Sequence, residues 1–289
     1  MSKFCVATDS GCDLPMSLCK ERKIYPLQMS YYIGEDEFRD TMVHDDFKVF
    51  YDKIRNGATP RTSQVNVYEF VSFWESLLHL KLPIIHICLG SGISGTYSNG
   101  MQAVDIMKEK YPDQDIYLID STLASVGYGM LAIKAAEMRD QGKTAQECVK
   151  WIEEHKIEIN TYYTTDNLEY LHRSGRVSRA GAIIGTTLKI NPILNLDKEG
   201  HLLVRERIRG RKATIRRIHD IVRELVVNPQ EQTLYICHSD IPEKANEFGE
   251  GLKQDIGFSD VYYTYIGSTI GTHAGPGLMA AFFYGKPRT

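Results

Sequence analysis

Three short polar loops hold most of the residues that could do chemistry in this sequence. The first is Gly90-Ser91-Gly92-Ile93-Ser94-Gly95-Thr96, a Gly-x-Gly-x-x-Gly run between an apolar strand and a helix, with Asp120 25 residues beyond Gly95. In a dinucleotide site such glycines let the backbone approach a pyrophosphate, and a later acid holds a ribose. Two features pull away from that reading. The run follows a later strand, not the first one, and it carries three hydroxyls, Ser91, Ser94 and Thr96. Helix-N-terminal amides with hydroxyl donors suit any anion, including a carboxylate. The plainest reading leaves the glycines a purely geometric role in a tight turn.

The second loop is Thr62-Ser63-Gln64, just before a helical pattern. Taken alone it reads as an N-cap. The third is Gly271-Thr272-His273-Ala274-Gly275-Pro276-Gly277, where Gly and Pro fix an unusual backbone path beside one imidazole. Asp9, Ser94, Asp120 and His273 contain the ingredients of a Ser-His-Asp hydrolase. The nucleophile elbow is missing, because Gly95 directly follows Ser94. The nine histidines are scattered and give no metal-ligand spacing. Basic residues gather at Arg173, Arg176 and Arg179, and in a denser run from Arg205 to Arg217. Each group is either a solvated face or a docking patch for an acidic partner or phosphate.

Alternating strands and helices must position these loops. Lys3 to Thr8 reads as a strand ending at Asp9-Ser10-Gly11, and Ile24 to Ile33 as a second strand. A turn at Gly34-Glu35-Asp36 leads to a short return strand through Phe38. Asp45 to Arg55 is an amphipathic helix stopped by Asn56-Gly57. Another helix carries Val67, Phe70, Val71, Trp74, Leu77 and Leu78 at helical spacing. Ile84 to Leu89 and Ile116 to Ile119 read as strands, the latter ending at Asp120-Ser121. Thr96 to Lys110 and Leu123 to Gln141 read as helices. Thr144 and Glu147 form a capping box for the helix carrying Cys148, Val149 and Ile152. This half predicts a mainly parallel sheet flanked by helices. After Lys156 the texture becomes α+β, with strands at Tyr162-Tyr163, Leu188-Ile190, Ile193-Leu196, Leu202-Val204 and Leu234-Cys237. Asp197-Lys198-Glu199-Gly200 is a hairpin turn, and basic helices lie between the strands. If Leu203 to Arg209 is a strand, Arg205, Arg207 and Arg209 share one face.

The expected architecture is α/β: an N-terminal domain over 1–157 and a smaller C-terminal α+β domain over 158–289. At 289 residues, 43% hydrophobic and 25% charged, the chain has room for two domains and an enclosed pocket. A net charge of -3 gives no reason to expect nucleic acid as partner. No stretch is long and apolar enough to span a bilayer, and MSKFCVATDS has no signal-like apolar region. The six cysteines lack zinc or redox spacing, and three lie in apolar strands. Reduced thiols and a cytoplasmic, monomeric protein are expected.

The ordered set Thr8-Asp9-Ser10, Thr62-Ser63-Gln64, the Gly90–Thr96 loop, Asp120-Ser121, the Leu168–Arg176 segment and the Gly271–Gly277 loop resembles the DegV family of bacterial fatty-acid-binding proteins. The match runs from Phe4 to Gly285. The resemblance implies an acyl chain in an apolar tunnel between the two domains. Its carboxylate would meet Thr62, Ser94 and His273, supported by Ser63, Gly95, Thr96, Asp9, Ser121 and Thr272. It implies a carrier with no complete active site and no cofactor. A separate ATP-dependent fatty acid kinase would take the bound acid to an acyl phosphate for phospholipid synthesis. Arg173, Arg176 and Arg209 would lie where that kinase docks. A dinucleotide-dependent oxidoreductase built on the Gly90–Gly95 loop is the alternative.

The physical demands of a fatty acid agree with this set. Its anionic end needs a few short hydrogen bonds away from water. Hydroxyls, helix-N-terminal amides and an imidazole would supply them, with no Lys or Arg at the head group. Its tail needs apolar surface, at about 0.8 kcal/mol per buried methylene. The segments from Leu123 to Met138 and from Ala182 to Leu196 are apolar enough to line that space, and core packing is the plain alternative for both.

Overall fold

In the computed structural model, residues 3–177 and 190–289 are described. Arg179 and most of the apolar segment beginning at Ala182 lie outside them. The first sheet is parallel, in the order β2 (Ile24–Leu27), β1 (Cys5–Asp9), β6 (Ile84–Cys88), β7 (Ile116–Asp120). Every residue of β1 and β6 is buried, as expected of mostly apolar strands covered on both faces. Flanking helices are α1 (Met16–Glu21), α3 (Val67–Leu77), α4 (Thr96–Lys110), α5 (Val126–Asp140) and α6 (Ala145–His155). The Thr144–Glu147 capping box opens α6 as expected.

The expected strand from Ile24 to Ile33 is broken into two. β2 stays in the parallel sheet, whereas β3 (Ser30–Ile33) pairs antiparallel with β4 (Asp36–Arg39) and with β5 (Arg61–Thr62). The break occurs because Met29 bonds elsewhere. Its amide donates to Ser10 Oγ at 3.0 Å, and its carbonyl accepts from the Asp40 amide at 2.9 Å. α2 (His44–Arg55) packs Phe47, Phe50, Tyr51 and Ile54 with Tyr31 of β3.

A six-stranded mixed sheet takes all its strands from residue 159 onward. Its order is β10 (Leu202–Arg209), β9 (Ile190–Leu196), β8 (Ile159–Thr164), β13 (Met279–Tyr284), β11 (Thr233–His238), β12 (Asp260–Tyr265). Only the β11–β12 pair is parallel. β12 and β13 were not among the expected strands, although Val261-Tyr262-Tyr263 and Phe282-Phe283-Tyr284 carry the β-branched and aromatic signal. α8 (Arg211–Leu225) buries Thr214, Ile218, Ile221 and Val222 at helical spacing. α9 (Pro242–Ile256) adds Ala245, Phe248 and Leu252 to the same core cluster. Two short helices, α7 (Glu169–Arg173) and α10 (Ser268–Ala274), pack against each other beside the remaining core. That core is continuous between the two halves of the chain: Leu123 and Val126 share it with Tyr163, Leu196 and Phe282.

Candidate functional site

Thr62 and His273 meet across 211 residues, with Thr62 Oγ1 2.8 Å from His273 Nε2. Neither side chain stands on the irregular loop its composition suggested. Thr62 is held in β5 by pairing with Tyr31, and the N-cap of α3 is Asn66, in a capping box with Glu69. His273 stands in the last turn of α10, which ends at Gly275 with φ 66°. A Cβ at Gly275 would lie within 2.6 Å of the Tyr170 ring, so only glycine lets α7 come this close.

His273 forms part of the wall of a cavity with about 620 Å³ of empty space, counted out to its mouth. Ile93, Leu171, Leu196, Ile270, Leu278 and Phe282 make the wall mostly apolar, and Ser125, Thr161, Tyr163 and Arg176 are its other polar members among the described residues. Burial, then the nearby Arg176 guanidinium, pushes the His273 imidazole down to about 4. It is therefore neutral near pH 7. With Nε2 engaged by Thr62, its Nδ1 is buried without a partner among the described residues. An orphaned buried ring nitrogen costs free energy unless something bonds it.

The other expected contacts divide. Ser94 shares a hydrogen bond of 2.9 Å with Thr96 Oγ1 and accepts from the Thr96 amide at 3.2 Å. Its loop lies beside the Thr62 segment, since a Cβ at Gly95 would sit 2.6 Å from the Gln64 side chain. Ser63 is exposed. Asp9 is buried and accepts from Tyr128 OH and from the Leu89 amide. Ser121 closes a turn with Leu123, and Thr272 donates to Ser268 O within α10. None of Ser63, Asp9, Ser121 and Thr272 lines the cavity, and neither do Thr62 and Ser94. Of the segment from Leu123 to Met138, Ala124 and Ser125 reach it. The helix itself starts only at Val126, because Leu123 bonds to Gly90 and Ser121.

Arg176 is a departure from expectation. It was placed with the docking arginines, and a cation was not expected beside the head group. The chain instead folds it into the cavity wall, half-buried, with Nη1 donating to Ser174 O and burial lowering its pKa. Arg173 is exposed over the Tyr170 ring, and Arg209 is exposed at the end of β10. Exposure alternates along β10, with Leu203, Arg205, Arg207 and Arg209 outward.

The Gly90–Gly95 loop satisfies its own polar groups. Asp120 accepts from the Ser91 amide and hydroxyl and from the Thr122 amide, so the acid that a ribose would need is already used. Each glycine admits a neighbour. A Cβ at Gly90 would meet the Leu123 backbone at 2.8 Å, and one at Gly92 the Gly200 backbone at 2.6 Å. The hydrolase reading lacks geometry too, since Asp9 and Asp120 bond elsewhere and Thr62 occupies Nε2 of His273. Asp197, Glu199 and His201 lie within 4.8 Å of one another on the β9–β10 hairpin, where Asp197 Oδ1 accepts from the His201 amide. All six cysteines are buried free thiols. Among the described residues, no helix is long and apolar enough to cross a membrane.

Fold and site together define an α/β protein with an apolar cavity and an imidazole in its wall. The chain belongs to the DegV family, whose model matches residues 3–286. It is similar to a DegV domain-containing protein of Clostridium perfringens, 37% identical over 289 residues, covering 100% of this chain and 99% of the relative. Protein DegV of Bacillus subtilis is 33% identical over 276 residues, 95% of this chain and 96% of that one. The crystal structure of DegV, a fatty acid binding protein from Bacillus subtilis, superposes with a TM-score of 0.85 at 30% identity over 99% of this chain and 100% of that one. A DegV lipid binding protein from Thermotoga maritima gives 0.86 at 25% identity, covering 99% and 100%.

Proposed function

We propose that this chain binds one long-chain fatty acid, with its carboxylate at His273 and Thr62 and its tail in the apolar cavity. The carrying observation is the orphaned Nδ1 of His273 in the wall of that cavity. If the Thr62 hydroxyl donates to Nε2, the ring proton sits on Nδ1 and is free to donate to a carboxylate. Arg176 adds a positive charge to the same wall, where low dielectric strengthens its pull on an anion. Ser94 joins the head-group site if its hydroxyl turns from Thr96. The names of the Bacillus subtilis and Thermotoga maritima relatives, a fatty acid binding protein and a lipid binding protein, support this reading.

The parallel sheet and the six-stranded sheet then belong to two domains that meet near residues 157 and 158, with the ligand between them. The protein acts as a cytoplasmic, monomeric carrier without a complete active site, presenting its ligand to an ATP-dependent fatty acid kinase. Exposed Arg173 and Arg209 meet that kinase; Arg176 belongs to the ligand. Native mass spectrometry of protein purified from cells tests the reading. A retained mass of one long-chain fatty acid is expected. A retained dinucleotide would overturn it in favour of the oxidoreductase alternative.

A further inference from the structure

We propose that Asp13 and Asp40 are positioning residues for His273, acting by holding the opposite end of its helix. The inference rests on His273 being the head-group residue. α10 has seven residues, too few to hold its shape alone, since isolated helices under about 12 residues are marginal. Its ends must be fixed from outside. Asp13 Oδ1 accepts from the Gly267 amide at 2.8 Å, and Asp40 Oδ2 accepts from the Thr269 amide at 2.9 Å. Two buried acids thus accept from amides at the helix start, which have no partner within the helix. His273 stands four residues after Thr269, about 6 Å along the axis at 1.5 Å per residue. A tilt at the held end displaces the imidazole at the other.

The two acids come from the other half of the chain and are 3% and 0% exposed. The donors that hold them are neutral amides and hydroxyls. Burial among neutral groups pushes both acids up, Asp13 well above the ordinary carboxylate value, so what holds α10 is the geometry of these bonds and not a fixed charge. Asp13 also does a second thing. Its Oδ2 accepts the hydroxyl of Ser125, a cavity-wall residue, and its carbonyl accepts from Thr264 Oγ1 at 2.6 Å. One side chain therefore touches both the wall of the tail space and the helix of the head-group residue. Asp9 provides the comparison: it is equally buried, but bonds Tyr128 and Leu89 and makes no hydrogen bond to α10.

The test reads the imidazole of His273 by NMR in ligand-free protein, palmitate affinity, and thermal unfolding, in Asp13→Ala, Asp13→Asn, Asp40→Ala, Asp40→Asn and Asp9→Asn. Both alanine variants should shift the His273 resonances and weaken palmitate binding about 10-fold, the lower end of what losing a group that orients a ligating histidine costs. Asp40→Asn should show the same change in part, and serves if the alanine protein does not fold. Asp13→Asn should restore both readouts, because its amide oxygen still accepts from Gly267 while Ser125 turns to accept. Asp9→Asn should change the unfolding temperature and leave the His273 resonances in place. Unmoved His273 resonances in the Asp13→Ala and Asp40→Ala variants, or a failed Asp13→Asn rescue, would overturn the proposal. Unchanged palmitate affinity in His273→Ala would instead remove the head-group reading, and the resonance shifts in the Asp13 and Asp40 variants would still report on positioning.

Discussion

Thr62 Oγ1 lies 2.8 Å from His273 Nε2, joining a two-residue edge strand to the last turn of a short helix. The bond engages Nε2 and leaves Nδ1 as the buried ring nitrogen without a partner among the described residues. Replacing Thr62 by Val keeps the shape and removes the hydroxyl, leaving both ring nitrogens of His273 without a partner. Fatty acid affinity should fall by about 1–2 kcal/mol for the lost orientation, and by about 1.5–3 kcal/mol in His273→Ala, which loses a hydrogen bond to a charged group. Ser94→Ala should cost less than either if Ser94 stays with Thr96. Isothermal titration of the three variants orders them, and a Ser94→Ala loss exceeding that of His273→Ala would reverse the assignment.

The imidazole also predicts a proton-linked binding step. His273 is held down to about 4, below its ordinary 6.5. Its neutral form therefore contributes stability that is present above 6.5 and lost as pH falls through 4. A bound carboxylate favours the imidazolium and raises that value. Complex formation between these pH values should then take up a proton, and affinity should rise on mild acidification until the ligand's own carboxyl protonates. NMR titration of His273 with and without palmitate checks this. His86 and His238, also pushed down by burial, to about 3 and about 4, lie outside the cavity wall and should not move. An unaltered His273 titration in the complex would contradict the head-group site.

The glycine loop makes a structural prediction. Gly92 has backbone neighbours of the β9–β10 hairpin at 2.6 to 2.8 Å from where a Cβ would be. Backbone cannot step aside as a flexible side chain can, so Gly92→Ala should destabilise by about 1–3 kcal/mol, the usual cost of overpacking. Denaturant unfolding measures it. A neutral Gly92→Ala variant would show that the loop and hairpin can separate freely.

How much of this was legible in the sequence depended on whether the signal was local. α4 and the capping box of α6 follow from periodicity and cap chemistry, both readable within a few residues. The division of Ile24 to Ile33 was not, because its cause is a bond from Met29 to Ser10 and another to Asp40. Thr62 and His273 could be singled out by residue type and by resemblance, but their elements could not: β5 exists through its pairing with Tyr31, and α10 is fixed by Asp13 and Asp40. Arg176 shows the limit most clearly. Its spacing from Arg173 put it in a surface patch, and only the packing of α7 on α10 turns it towards His273.

That difference between neighbouring arginines gives the last prediction. Arg176 lines the cavity, whereas Arg173 and Arg209 are exposed. Much of the surrounding charge is already engaged: Arg217 pairs with Glu206, Arg211 with Asp166, and Arg223 with Asp255. If Arg173 and Arg209 dock a kinase, their work is with the partner's charges and shows up in association rate. Arg173→Ala and Arg209→Ala should then leave fatty acid affinity intact and slow phosphorylation of the loaded carrier. High salt should narrow the gap between variant and parent, since screening already weakens exposed pairs. Arg176→Ala should do the reverse, weakening the ligand by about 1.5–3 kcal/mol if its guanidinium bonds the carboxylate. The measurement is paired: palmitate titration of each variant, then kinase turnover per loaded carrier. Lost palmitate binding in Arg209→Ala with normal turnover per loaded carrier would put that arginine in the ligand site and end the docking assignment. Normal palmitate affinity in Arg176→Ala would return Arg176 to the docking group in which the family resemblance first placed it.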